Sequence, residues 1–191
     1  GLLALPCLQA APIAFEGGLL VESFNNPAFN AKGNTTLPWD GEPAVAGWVT
    51  TAEDPEIQFG WSGAVSAGRM YGYRFDSSGE TSPTAGSLGA RTTAQTGPIA
   101  YALGLENTTG ETIDGFTLSF DAFVVNYQDE TADKLGFAYG IGADFDSAAF
   151  SEVAEAAYIP PDGSGKGNPL PETVEAFRVS VEDLSWEPGE V

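Results

Sequence analysis

The side chains able to do chemistry in this chain are carboxylates, hydroxyls and aromatic rings. Asp129, Glu130 and Asp133 share one loop, and Asp144, Asp146 and Ser147 share another. Calcium takes about six to eight oxygen ligands from loops of this kind, so Asp129, Asp133, Asp144 and Asp146 are candidate ligands of a structural calcium ion. The run Asp144-Phe145-Asp146-Ser147 has the spacing that opens an EF-hand loop, although Ala149 stands where such a loop needs glycine. A second constellation lies on one face of an alternating stretch: Thr117, Ser119, Asp121, Phe123, Val125 and Tyr127. Sugar rings stack on aromatic faces while acids and amides read their hydroxyls, so Asp121, Phe123 and Tyr127, together with Trp61, are candidate carbohydrate contacts. The alternative for these aromatics is packing beneath a loop, and Trp39, Trp48 and Trp61 share that ambiguity.

What is missing narrows the chemistry further. Histidine is absent and Cys7 is the single cysteine, which removes a Ser-His-Asp triad, His/Cys zinc and haem sites, and an internal disulfide. Retaining glycosidases need two carboxyl groups about 5 Å apart. The nearest acid clusters, Glu152 with Glu155 and Glu182 with Asp183, would point apart on a strand. Lys and Arg number 7 against 27 acids, for a formal charge of −20, so the whole-molecule field repels nucleic acid and anionic lipid heads. No catalytic residue and no cofactor other than structural calcium is expected.

The elements that must position these groups are strands. An apolar fraction of 42% with 12% aromatics excludes a disordered chain, and 24 Gly with 13 Pro favours many short strands and turns. The organising stretch runs from Gly97 to Tyr127. Ile99, Tyr101, Leu103 and Leu105 fall on one face of its first run, and Phe116, Leu118, Phe120, Ala122 and Val124 on one face of its second. With the turn-forming Glu106-Asn107-Thr108-Thr109-Gly110-Glu111 between them, the spacing predicts a long β-hairpin.

Further strands are expected at 13–24, 48–51, 57–61, 69–75, 134–142 and 174–184. The last of these places Phe177, Val179 and Val181 inward and Arg178, Ser180 and Glu182 outward. Loops are expected at 25–43 and 160–171, a turn at Asp76-Ser77-Ser78-Gly79, and a short helix or loop over 144–156. Residues 1–14 are uncharged and rich in Leu and Ala, the pattern of the later part of a secretory signal, which leaves 15–191 as one domain. No stretch approaches the roughly 20 apolar residues of a membrane-spanning helix.

Several phrases carry a family resemblance: Phe75-Asp76-Ser77-Ser78-Gly79, Gly86-Ser87-Leu88-Gly89, Asn107-Thr108-Thr109-Gly110 followed by Ile113, Phe116, Leu118 and Phe120, and Leu184-Ser185-Trp186-Glu187-Pro188-Gly189-Glu190. In this order they resemble the secreted jelly-roll proteins of bacteria that carry a PEP-CTERM-type sorting tail. The resemblance implies an antiparallel, two-sheet, jelly-roll-like β-sandwich at the cell surface or outside the cell, associated with glycans and without specific catalytic residues. In such proteins further strands and the sorting tail follow the Trp-x-Pro-Gly-Glu phrase. This chain stops at Val191, so the resemblance implies missing last strands and an unpaired sheet edge.

The expectation from the sequence is a secreted or cell-surface, non-enzymatic, all-β module with a polysaccharide or cell-surface glycan as its partner. Two alternatives stay open: a structural or adhesive surface protein without a small ligand, and a carboxylate-dependent glycan-degrading enzyme. The Asn34-Thr35-Thr36 and Asn107-Thr108-Thr109 sequons are acceptors in a eukaryotic secretory route and plain turns otherwise. Oligomeric state is not encoded in any of these patterns.

Overall fold

The strand-forming residues identified above pair mostly with partners distant in sequence. The structure is a computed structural model, which describes residues 11–25, 29, 35–38, 46–51, 56–61, 67–80, 86–127, 134–145, 147–160, 165–166 and 173–191. In chain order the strands are β1 (Ile13–Phe15), β2 (Thr35–Pro38), β3 (Trp48–Thr50), β4 (Glu56–Trp61) and β5 (Arg69–Tyr73). There follow β6 (Ser87–Arg91), β7 (Tyr101–Leu103), β8 (Leu105–Asn107), β9 (Phe116–Ala122) and β10 (Asn126–Tyr127). The last are β11 (Ala138–Tyr139), β12 (Ser151–Glu152), β13 (Gly165–Lys166) and β14 (Glu175–Val181), with a 3₁₀ turn at Ala154–Ala156. The protein is all-β, as expected. No helix among the described residues is long and apolar enough to cross a membrane.

The largest sheet runs in the order β2-β4-β5-β6, with β4 and β5 parallel and the other pairs antiparallel. β5 lies inside this sheet and is buried on both faces, which is why alternation alone says little about it. Met70 joins Phe29, Ile57 and Phe59 on one side, while Tyr71 and Tyr73 join Phe75 and Val125 on the other. Gly72 is required between them, because a Cβ there would run into the ring of Phe59.

The expected hairpin does not form. β7 pairs antiparallel with β3, β8 pairs parallel with β1, and β9 pairs antiparallel with β14 along seven residues each. The reason lies in the connector. Asn107, 1% exposed, donates from Nδ2 to the carbonyls of Glu111 at 2.9 Å and Trp186 at 2.8 Å, so the turn is committed to the C-terminal segment. Its Oδ1 accepts from the Thr109 N–H at 3.0 Å and the Thr109 hydroxyl at 2.7 Å. Asn107 thus builds the turn with its whole amide group, and its side chain is not presented as a glycan acceptor.

The C-terminal phrase closes around this turn. Ile113 and Trp186 form a two-way bridge, Phe15 stacks on Trp186 at 5.6 Å, and the Trp186 indole donates to the carbonyl of Glu190 at 2.8 Å. Gly189 and Glu190 hydrogen-bond the backbone of Asn107, and Val191 exchanges two backbone bonds with Gly142. The last residues, Gly189 to Val191, are therefore tied into the fold by backbone bonds. β1 begins at Ile13, so the fold takes in the end of the apolar segment 1–14; Cys7 lies outside the described residues.

β14 keeps the alternation read from its sequence, with Phe177, Val179 and Val181 buried and Arg178 and Ser180 exposed. Its inner face meets β9 in a stack of Phe120 on Phe177, 5.0 Å apart and nearly parallel at 14°. Tyr158 packs edge-on against Phe177 at 6.4 Å and donates its hydroxyl to the Thr173 carbonyl at 2.5 Å. Over 134–142 only Ala138–Tyr139 is a strand, with Leu135 bridging Tyr158; Phe137 and Tyr139 pack on Phe120 and Phe116. The described residues of 144–156 comprise turn, β12, the 3₁₀ turn and irregular chain between them. Trp39 and most of the loop expected at 160–171 lie outside the described residues.

Candidate functional site

With Phe116, Leu118, Phe120 and Ala122 turned inward on β9, period-2 geometry turns Thr117, Ser119 and Asp121 outward, and all three are exposed. The antiparallel register sets Thr117 opposite Ser180, Ser119 opposite Arg178 and Asp121 opposite Ala176. Cross-strand partners share a face. The result is an outer face of small hydroxyls with one carboxylate and one guanidinium among them, on diagonal neighbours roughly 7–8 Å apart and somewhat less at Cβ. The Thr117 and Ser180 hydroxyls touch at 3.0 Å and hold their end of the ribbon together.

Asp121 is positioned from outside its own sheet. The turn after β5 is built by Asp76, whose Oδ1 accepts from the Ser78 N–H at 2.9 Å and the Ser78 hydroxyl at 2.5 Å, while Gly79 donates to the Asp76 carbonyl at 3.0 Å. Gly79 sits at φ +80°, a conformation glycine adopts without strain. This turn presents Ser77, whose hydroxyl donates to Asp121 Oδ2 at 2.6 Å. One oxygen of Asp121 is thereby fixed.

The same turn accounts for Phe123. β9 ends at Ala122, and Phe123 leaves the outer face to pack half-buried against Phe75 at 6.3 Å and the Tyr71, Tyr73, Val125 cluster. It is no open stacking platform, and the packing alternative holds for it. Trp61 ends β4 opposite Tyr73 and Tyr127 pairs with Gly165, but their side chains lie outside the described residues. Trp48 packs in the core against Phe24 at 5.6 Å and Tyr101 at 6.0 Å. Of the expected carbohydrate contacts, Asp121 therefore stands on the exposed face and Phe123 does not. The residues that the sequence did not group with Asp121 are Ser77, Arg178 and Ser180.

Of the expected calcium ligands, Asp129, Asp133 and Asp146 lie outside the described residues. Asp144 closes a local turn, its Oδ1 accepting from the Ser147 N–H at 2.8 Å while the Ser147 hydroxyl donates to its carbonyl at 3.2 Å. Among the described residues no group of three or more acidic or thiol side chains converges as a metal site.

Burial raises the phenols of the core. Tyr101 is pushed up to about 12, and Tyr71 and Tyr73 also lie above the ordinary value of 10.0, with desolvation the largest cause in each. In the C-terminal clasp Glu187 is held below the usual 4.5 by the hydroxyls of Thr112 and Ser185, each 2.8 Å away. These groups report on packing rather than on a reactive centre.

Compared with protein-family models, with curated proteins and with solved structures, the chain matches none.

Proposed function

We propose that this protein is a non-enzymatic, secreted or cell-surface β-sandwich module that binds carbohydrate on the outer face of β9 and β14, and that its jelly-roll resemblance reflects such a role. The observation that carries this reading is the outer face on which Asp121, fixed by Ser77 at 2.6 Å, and its diagonal neighbour Arg178 stand among the exposed hydroxyls of Thr117, Ser119 and Ser180. A sugar hydroxyl both donates and accepts; a carboxylate accepts, a guanidinium donates, and Ser and Thr hydroxyls do either. Such a face offers vicinal hydroxyls partners of both kinds without desolvating an unpaired charge. In a chain with only 7 basic residues, one of them stands here.

Phe123, packed against Phe75, favours a second reading: a structural surface module with no small ligand. Affinity electrophoresis in gels cast with a panel of neutral polysaccharides separates the two. The binding module is retarded by at least one of them, and Asp121→Ala or Arg178→Ala restores its mobility. The structural module runs unretarded through all of them.

A further inference from the structure

We infer that Phe150 and Glu152, on the side of the β11–β12 pair that faces away from β9, form a second subsite that takes an amino sugar. The inference rests on the glycan-binding reading above. β11 and β12 pair with Ala138 opposite Glu152 and Tyr139 opposite Ser151. Tyr139 packs edge-on against Phe116 at 6.0 Å and Phe137 lies 6.3 Å from Phe120, so that face of β11 covers the inner face of β9. Ala138 and its partner Glu152 therefore face away from the core, and Glu152 is exposed.

Phe150 precedes Glu152 by two residues and shares its side. Its ring is 48% exposed, rests against Phe145 at 5.1 Å, and lies over Gly140, where an added Cβ would stand 3.2 Å from Phe150 Cδ1. A half-exposed aromatic side chain is thus held at the start of β12, two residues before an exposed carboxylate. A sugar ring stacks on an aromatic face, and a cation is drawn to it by the ring quadrupole. Charge complementarity selects among glycans. A net charge of −20 repels uronic-acid and sulfated polysaccharides and attracts ammonium groups, which Glu152 is placed to receive.

The test is calorimetric titration of the whole chain, at mildly acidic pH where sugar amines carry their protons, with a glucosamine oligomer and with its N-acetylated counterpart of equal length. The free-amine oligomer binds more tightly, and Phe150→Leu and Glu152→Gln each weaken it by about two- to fivefold. Phe150→Tyr keeps the affinity, and circular dichroism confirms that each variant is folded. Unchanged binding in Phe150→Leu overturns the inference. So does an equal loss in Glu16→Gln, which would mean a general acidic surface, or tighter binding of oligolysine with the same Phe150 dependence, which would mean a site for basic peptide. If both oligomers bind equally and only Asp121→Ala abolishes them, the glycan reading stands and the amino-sugar subsite falls. If neither oligomer nor any neutral polysaccharide binds, both fall.

Discussion

Asn107 donates from Nδ2 to the backbone carbonyl of Trp186 at 2.8 Å, a buried bond between residues 79 apart in the chain. It joins two of the phrases that carry the family resemblance, Asn107-Thr108-Thr109-Gly110 and Leu184-Ser185-Trp186-Glu187-Pro188-Gly189-Glu190. Their residue types are explained by this clasp. An intramolecular hydrogen bond contributes about 0.5–1.5 kcal/mol net. Asn107→Ala removes the amide's bonds to the Glu111 and Trp186 carbonyls, which keep the Thr109 hydroxyl and the Ile113 N–H as partners, and is expected to cost about 1–3 kcal/mol in urea unfolding, with tryptophan fluorescence reporting the loss. A loss below about 0.5 kcal/mol would show that the clasp does not hold the fold.

Gly72 faces the ring of Phe59 inside the four-stranded sheet. Gly72→Ala forces overpacking there and is expected to destabilise by about 1–3 kcal/mol, whereas alanine at Gly136, where a Cβ meets nothing within 4 Å, is tolerated. Thermal unfolding of the two variants side by side checks the contrast.

The pH dependence has two sides. Glu187 has a lowered folded pKa, so its contribution is present above the unfolded value of about 4.5 and is lost as pH falls through the folded value. Loosening of the C-terminal segment is expected on that acid limb, and Thr112→Ala moves it to higher pH. Hydrogen exchange at Ile113 and Trp186 follows it.

The tyrosines act on the alkaline side. Their folded pKa values are raised, so the stability they contribute is complete below the unfolded value near 10.0 and falls as pH rises toward the folded value, about 12 for Tyr101. The phenols of Tyr71, Tyr73 and Tyr101, followed residue by residue by NMR, are expected to ionise late and together with unfolding; titration of Tyr101 near 10.0 in the folded protein would contradict its desolvation.

The inward and outward residues of β9 and β14 are legible in the sequence because each strand has one wet face. Phe177, Val179 and Val181 alternate with Arg178 and Ser180, as the burial shows. β5 is harder to read, since Met70 and Tyr71 enter different clusters and both are buried. The hairpin misleads for another reason. Asn107 and Gly110 are turn residues in either arrangement, and nothing local says that β9 will pair with β14 while Tyr101 to Leu105 pairs with β3 and β1. Asp121 is legible as an outward acid, but Ser77 reaches it only through turn docking and Arg178 becomes its diagonal neighbour only through strand register, both non-local. Phe123 looks equivalent to Asp121 by alternation, yet the strand ends at Ala122 and the ring follows Phe75 into the core.

Glycan binding on the β9–β14 outer face is read out by amide chemical-shift mapping with an oligomer of whichever polysaccharide retards the protein. Perturbations are expected to concentrate at Ser77, Thr117, Ser119, Asp121, Arg178 and Ser180, and to disappear in Asp121→Ala with the remaining spectrum unchanged. Perturbations confined to other surfaces, or none at saturating oligomer, would contradict it.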